Sequence, residues 1–175
     1  MSSLYDISIP VYTDITKTAV SILKKGEEHF KSQGKDTAEL LKLKIADDML
    51  PLNMQILIIV MTGRKLVERV ANAAPVDTPI NQEYTLAELQ GLLDAQLAEL
   101  AKVDRAQVDG REQTEVPCKF GPEEYKSSAL DYVSGYPIPT GYFHLNMLYA
   151  LLRGAGVPLG KRDYMAEFMK KMTKA

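Results

Sequence analysis

Apolar residues recur at three- and four-residue steps through most of this chain, and that period limits the possible folds more than any other feature. The clearest run is Leu52, Ile56, Ile59, Gly63, Leu66 and Val70. Such spacing lines one side of an α-helix and predicts a helix over about 51–72, with Pro51 in its first turn and the stripe buried. Val11, Ile15, Ala19, Ile22 and Gly26 predict another over about 11–33, which follows Pro10 and stops at Gly34. Thr85 and Glu88 form a capping box that opens a third. Its stripe is Leu86, Leu89, Leu93, Leu97, Leu100 and Val103, and Asp109-Gly110 closes it. A fourth covers about Thr140–Arg153, with His144, Leu148 and Leu151 on one line, Met147 beside it, and Leu145, Tyr149 and Leu152 on the next.

Two shorter pieces complete the pattern. Asp36-Thr37 caps a short helix carrying Leu40 and Leu41, and an amphipathic turn runs from Asp163 to Met172. Between Arg111 and Gly141 the helical period disappears. Weak alternation over Glu112–Val116 reads as a short strand or hairpin, followed by a turn of helix near Glu123–Tyr132 and an ordered loop packed by Tyr125, Tyr132, Tyr136 and Tyr142. The expected fold is all-α: a four-helix bundle in one domain over residues 1–175, with two short extra helices and a long excursion before the last long helix.

Charge and cysteine content exclude several classes of function. With 21 Lys+Arg against 23 Asp+Glu, the formal net charge is -2, so no broad attraction to nucleic acid or to an anionic membrane is expected. Cys118 is the single cysteine, which excludes an internal disulfide and a four-cysteine zinc site, and it reads as an incidental loop thiol. The longest apolar run, Ile56 to Met61, is far shorter than the roughly 18–20 residues a membrane span needs. Met1 to Pro10 is mixed and carries Asp6, unlike a secretory leader, so a cytoplasmic protein is expected.

Chemistry has few places to sit. The histidines are His29 and His144, and neither has a histidine three or four residues on. His144 falls on the bundle-facing line of the last long helix, below the Pro/Gly-rich segment. It reads either as a neutral core histidine held by a tyrosine or carboxylate, or as a general acid/base or ligand anchor at the mouth of the bundle. Asp47-Asp48, just before Pro51, reads as a helix cap, with proton acceptance as the alternative. Gln55 borders the inner line and can donate into a cavity. Met54, Ile58 and Met61 form a second apolar line on the far side of the same helix, which suits either burial or contact with a second copy. No glycine-rich phosphate loop and no G-x-S-x-G elbow is present.

Two segments carry a family likeness. The run Tyr142-Phe143-His144, continuing as LNMLYALLRGAGVPLGKRDYM, resembles the domain-of-unknown-function family numbered nineteen-ninety-three, of fungi and bacteria. Ala46-Asp47-Asp48-Met49-Leu50-Pro51-Leu52, followed by Gln55, resembles its other shared stretch. That family is similar to the DinB/YfiT-like bundles, many of which hold a divalent metal through three histidines and often dimerise. Their last helix typically carries H-x-x-x-H; here His144 matches the second position and Thr140 stands at the first. The helix-two histidine is replaced in the neighbourhood of Asn53, Met54 and Gln55. The resemblance therefore implies the fold and a retained cavity with its metal ligands lost.

The functional expectation is a metal-free pocket, without cofactor, for a small and partly apolar organic molecule. His144, Asp48 and Tyr142 are its candidate catalytic groups, suited to isomerisation, cyclisation or elimination. Gln55, Ile59, Tyr136, Met147 and Leu148 are its candidate ligand-binding residues, and a homodimer through Met54, Ile58 and Met61 is expected. The competing expectations are a divalent-metal-dependent transferase or hydrolase of the DinB kind, and a non-catalytic dimeric interaction protein.

Overall fold

The computed structural model describes residues 3–173, which are mostly helical. Helix α1 (Leu4–Ser32) leads to α2 (Thr37–Leu41), α3 (Leu52–Val70), α4 (Leu86–Ala101) and the single turn α5 (Arg105–Val108). Strands β1 (Glu115–Phe120) and β2 (Glu123–Ser128) follow, then α6 (Ala129–Gly135), α7 (Pro137–Gly154) and α8 (Lys161–Met169). The four long helices are α1, α3, α4 and α7; α3 packs on α7 and α4, and α1 touches all three. Their buried apolar residues belong to one connected cluster. Among the described residues no helix is long and apolar enough to cross a membrane.

The stripe read for α3 is buried at every position. The Thr85–Glu88 capping box is present, with the Glu88 carboxylate accepting from the Thr85 amide at 2.7 Å and the Thr85 hydroxyl accepting from the Glu88 amide at 3.2 Å. Elsewhere the boundaries moved. Helix α1 begins at Leu4, not after Pro10, because Ser3 and Asp6 cap it reciprocally. Pro10 lies inside it, at the cost of one backbone bond. Burial of Ile9 before it and of Tyr12 and Ile15 after it offsets that loss.

Helix α4 stops at Ala101, short of the expected Asp109-Gly110, and Val103 is buried in the connection that follows. Gln96 takes the place on its inner face that Leu97 was expected to fill. The excursion after Gly110 is an antiparallel hairpin with Val116 paired to Ser127 and Cys118 to Tyr125. Cys118 is thus a strand residue only 9% exposed, not a loop thiol. The turn of helix expected near Glu123–Tyr132 is strand β2 as far as Ser128 and helix only from Ala129. The loop expected up to Thr140 is helical too, interrupted at Tyr136, with α7 starting at Pro137, whose ring suits a first turn.

Two polar arrangements set the packing. The Tyr12 hydroxyl donates to the Ile59 carbonyl at 2.9 Å, joining α1 to α3. Gln96 reaches in from α4, donating to the Val60 carbonyl at 2.7 Å while its oxygen accepts from the Thr16 hydroxyl at 3.0 Å. Gly63 leaves room for both: a Cβ there would lie 2.2 Å from the Gln96 amide nitrogen and 2.5 Å from the Tyr12 ring. Nearer the ends of α3 and α4, Arg64 grips both oxygens of Glu99 through Nε and Nη2 at 3.0 and 2.9 Å. Its Nη1 holds the Asp77 carbonyl and the Thr78 hydroxyl, which ties the 71–85 connection down.

Gly63→Ala is expected to lower unfolding stability by about 1–3 kcal/mol through overpacking against backbone-anchored groups. Urea denaturation measures it, and the same substitution at Gly91, which has open space around it, is expected to be neutral or mildly stabilising.

Candidate functional site

Helices α3 and α7 run antiparallel, so the first turn of α3 faces the second turn of α7. There His144 and Gln55 meet, with Nδ1 and Oε1 2.7 Å apart. The Gln55 amide nitrogen donates to the Leu50 carbonyl at 2.9 Å. A carbonyl can only accept, so the NH2 end of Gln55 must face Leu50 and its oxygen must face His144. The imidazole therefore carries its proton on Nδ1 and presents a lone pair at Nε2. Nε2 makes no hydrogen bond among the described residues, and it is not among the atoms sealed from water.

The surroundings keep this ring uncharged. Burial lowers the His144 pKa to about 4, and its partner is a neutral amide, not the tyrosine or carboxylate expected from the sequence. Gln55 is 3% exposed, whereas His144 is half-buried with the exposed Phe143 ring set edge-on to it.

Around that pair the expected residues divide. Ile59, one turn further along α3, is fully buried and engaged through its carbonyl by Tyr12. Leu148 is buried one turn along α7, and Met147 is half-buried. Tyr142 belongs elsewhere: two residues from His144 on a helix is about 200° of rotation, and its ring packs 5.9 Å from Phe168 of α8. Asp48 is exposed and makes no hydrogen bond to either member of the pair. Nor do the two acids cap α3, whose N-cap is Pro51 without a side-chain bond. Tyr136 packs between Tyr132 and Phe120, at 6.0 and 6.3 Å, and lines a cleft of about 410 Å³ with Thr140. Thr140 lies on the His144 face of α7, one turn before it. The second apolar line of α3 is partly covered, since Met54, Ile58 and Met61 are all half-buried and Met54 packs against the core.

The donors at the seam are one imidazole nitrogen, one amide oxygen already accepting, and the Thr140 hydroxyl one turn away. That set does not fit a three-histidine divalent centre. Among the described residues no group of three or more His, Cys, Asp or Glu side chains is placed to hold a metal ion.

This mostly helical packing with its hairpin is similar to that of a solved DinB family member. The crystal structure of a DinB family member protein from Shewanella denitrificans is similar, with a TM-score of 0.82 and 26% identity over 98% of this chain and 95% of that one. Residues 4–165 match the family described as Domain of unknown function (DUF1993), and the chain belongs to that family. No curated protein sequence matches it.

The pH dependence of His144 has a definite sign. Its folded pKa of about 4 lies below the ordinary value near 6.5, so between those values the unfolded chain binds the extra proton. The neutral ring's contribution to stability is present above about pH 6.5 and is lost as the pH falls toward 4. Urea midpoints measured from pH 7 down to 4.5 are expected to fall more steeply for the wild type than for His144→Asn, whose amide retains the bond to Gln55 but has no imidazole to charge. Parallel slopes would reject the assignment.

Proposed function

We propose that this chain is a DinB-type four-helix bundle that binds a small, partly apolar organic molecule at the α3–α7 seam. The His144–Gln55 pair stands at the position that the DinB likeness gives to metal ligands. One observation supports the reading above the others: a neutral imidazole whose proton is fixed on Nδ1, with an uncommitted lone pair at Nε2. Such a nitrogen accepts a hydrogen bond from a hydroxyl or N–H of the bound molecule. Met147, half-buried and within one turn of His144 on α7, is an apolar neighbour not sealed in the core, where Ile59 and Leu148 both lie.

A pKa near 4 makes the ring a weak base at neutral pH, so binding is the primary role and proton abstraction a secondary one. Where turnover occurs, isomerisation, cyclisation or elimination would route its proton through this same Nε2. The donor set supports this reading over a metal-dependent transferase or hydrolase.

Phenol is a suitable probe, because it joins one donor to an apolar ring. Its binding is expected to shift the His144 Nε2 resonance, and His144→Asn is expected to weaken it about 3- to 10-fold, the worth of one neutral hydrogen bond. Equal affinity for the two proteins, with the fold intact by circular dichroism, would remove His144 from the site.

The exposed remainder of Met54, Ile58 and Met61 supports self-association as a companion property. Light scattering of the purified chain is expected to give a dimer that Ile58→Glu dissociates; a monomeric wild type contradicts it.

A further inference from the structure

Helix α3 carries two arginines on its inner half that meet opposite fates. Arg64 is satisfied by Glu99, Asp77 and Thr78, as described above. Arg69, a turn and a half further on, has no carboxylate among the described residues. Its Nη1 donates to the Tyr132 hydroxyl at 2.8 Å, and its guanidinium lies over the Tyr132 ring at 4.9 Å. Nε is sealed from water without any hydrogen-bond partner. Tyr132 cannot balance the charge, because burial pushes its phenol up to about 12 and it stays protonated. The edge formed by Nε and Nη2, with which Arg64 holds both oxygens of Glu99, is therefore unmatched on Arg69. A half-buried cation with an unpaired donor is costly, and a bidentate carboxylate is the group whose shape and charge answer it.

The space beside Arg69 is of the right kind. Arg69 lines a cleft of about 490 Å³ under the β1–β2 hairpin. That cleft shares Cys118 and Tyr125 with the 410 Å³ cleft formed by Phe120, Tyr132 and Tyr136. Both volumes are in the range that small ligands occupy. Arg111 also has an unpartnered Nε, but it does not line either cleft.

We propose that the hairpin cleft is a second ligand site, which binds a small aromatic monocarboxylate through the Nε–Nη2 edge of Arg69 with its ring among Tyr125, Tyr132 and Tyr136. Lys126, Lys119 and Glu124 line the cleft as well. Lys126 is paired with Glu115, and Lys119 stands directly across the hairpin from Glu124, which leaves Arg69 as the cation with no facing acid and a monoanion as its match. Because Nε is sealed, the carboxylate reaches it as the hairpin lifts. The hairpin is tied at its root, where the Ala129 and Leu130 amides donate to Thr114 and Glu112, and its tip residue Phe120 is 67% exposed. The 410 Å³ cleft ends at Thr140, one turn from His144 on α7, but neither His144 nor Gln55 lines it or its neighbour, and the proposal does not depend on the reading given to that pair.

Titration of the full chain with benzoate and with its neutral isostere benzamide, followed by amide chemical shifts, tests this. Benzoate is expected to bind at least about tenfold more tightly than benzamide, with shifts centred on residues 116–136. Read from residues 116–136, that preference is expected to be abolished by Arg69→Gln and left unchanged by Gly91→Ala, which has open space around it and touches neither cleft. Absence of saturable benzoate binding, or equal affinity for the two probes, overturns the proposal without any variant having to fold. A preference that survives Arg69→Gln overturns it as well.

Discussion

Everything at the α3–α7 seam depends on a buried polar junction where α1, α3, α4 and α7 cross. Tyr12 is fully buried, and its one hydroxyl finds the Ile59 carbonyl. Gln96 joins the same turn of α3 from the opposite side. A buried hydroxyl or amide left unmatched costs more than its bond contributes, so these contacts act mainly by penalising every other register. Two glycines let the helices come close enough to make them. Gly63 faces Tyr12 and Gln96, and Gly141 faces the same Tyr12 ring from α7, where an added Cβ would lie 3.0 Å away. With Ile59 and Gly141 both held against Tyr12, an antiparallel α3 and α7 are aligned so that Gln55 arrives opposite His144. The His144–Gln55 pair thus inherits its geometry from a junction that contains no candidate catalytic group.

That dependence explains which parts could be read in advance. The stripe of α3 was legible because every member is apolar or glycine and every member is buried, so period and burial agree. Gln96 was invisible to the same reasoning, since a glutamine on a helix scores as surface and its Leu97 neighbour scores as core. The pairing of Gln55 with His144 spans 89 residues and depends on the relative shift of two helices, which no local pattern encodes. What the sequence did carry was the type of each group and its approximate helix face. The early start of α1 had a local signal, Ser3 followed by Asp6 three residues on, that the presence of Pro10 masked.

The hairpin region was half legible for a different reason. Alternation over Glu112–Val116 pointed to a strand, yet the strands themselves begin at Glu115 and run on through Ser128, with burial confined mostly to Val116 and Cys118. One buried face two residues long is too weak a pattern to separate from loop. Arg69 gave no warning either. An arginine in the last turn of a helix is what the helix dipole favours, so its identity alone suggests a solvated charge. Only its surroundings show that it is partly enclosed and unmatched.

The two sites embody opposite electrostatic solutions to burial. At His144 the cost of enclosing a cation is removed by giving up the proton: an imidazole can become neutral, and a neutral amide partner leaves it so. At Arg69 that route is closed, because a guanidinium does not deprotonate in proteins and must find an anion or carry the penalty. Arg64 shows the penalty resolved within the chain by Glu99. A site whose charge is resolved internally gains rigidity and holds its connection in place, whereas one left open retains free energy for something that arrives from outside. On that physical ground the site proposed at the neutral seam is one for a ligand bearing a hydroxyl or N–H, and the site proposed at the hairpin cleft is one for an acid.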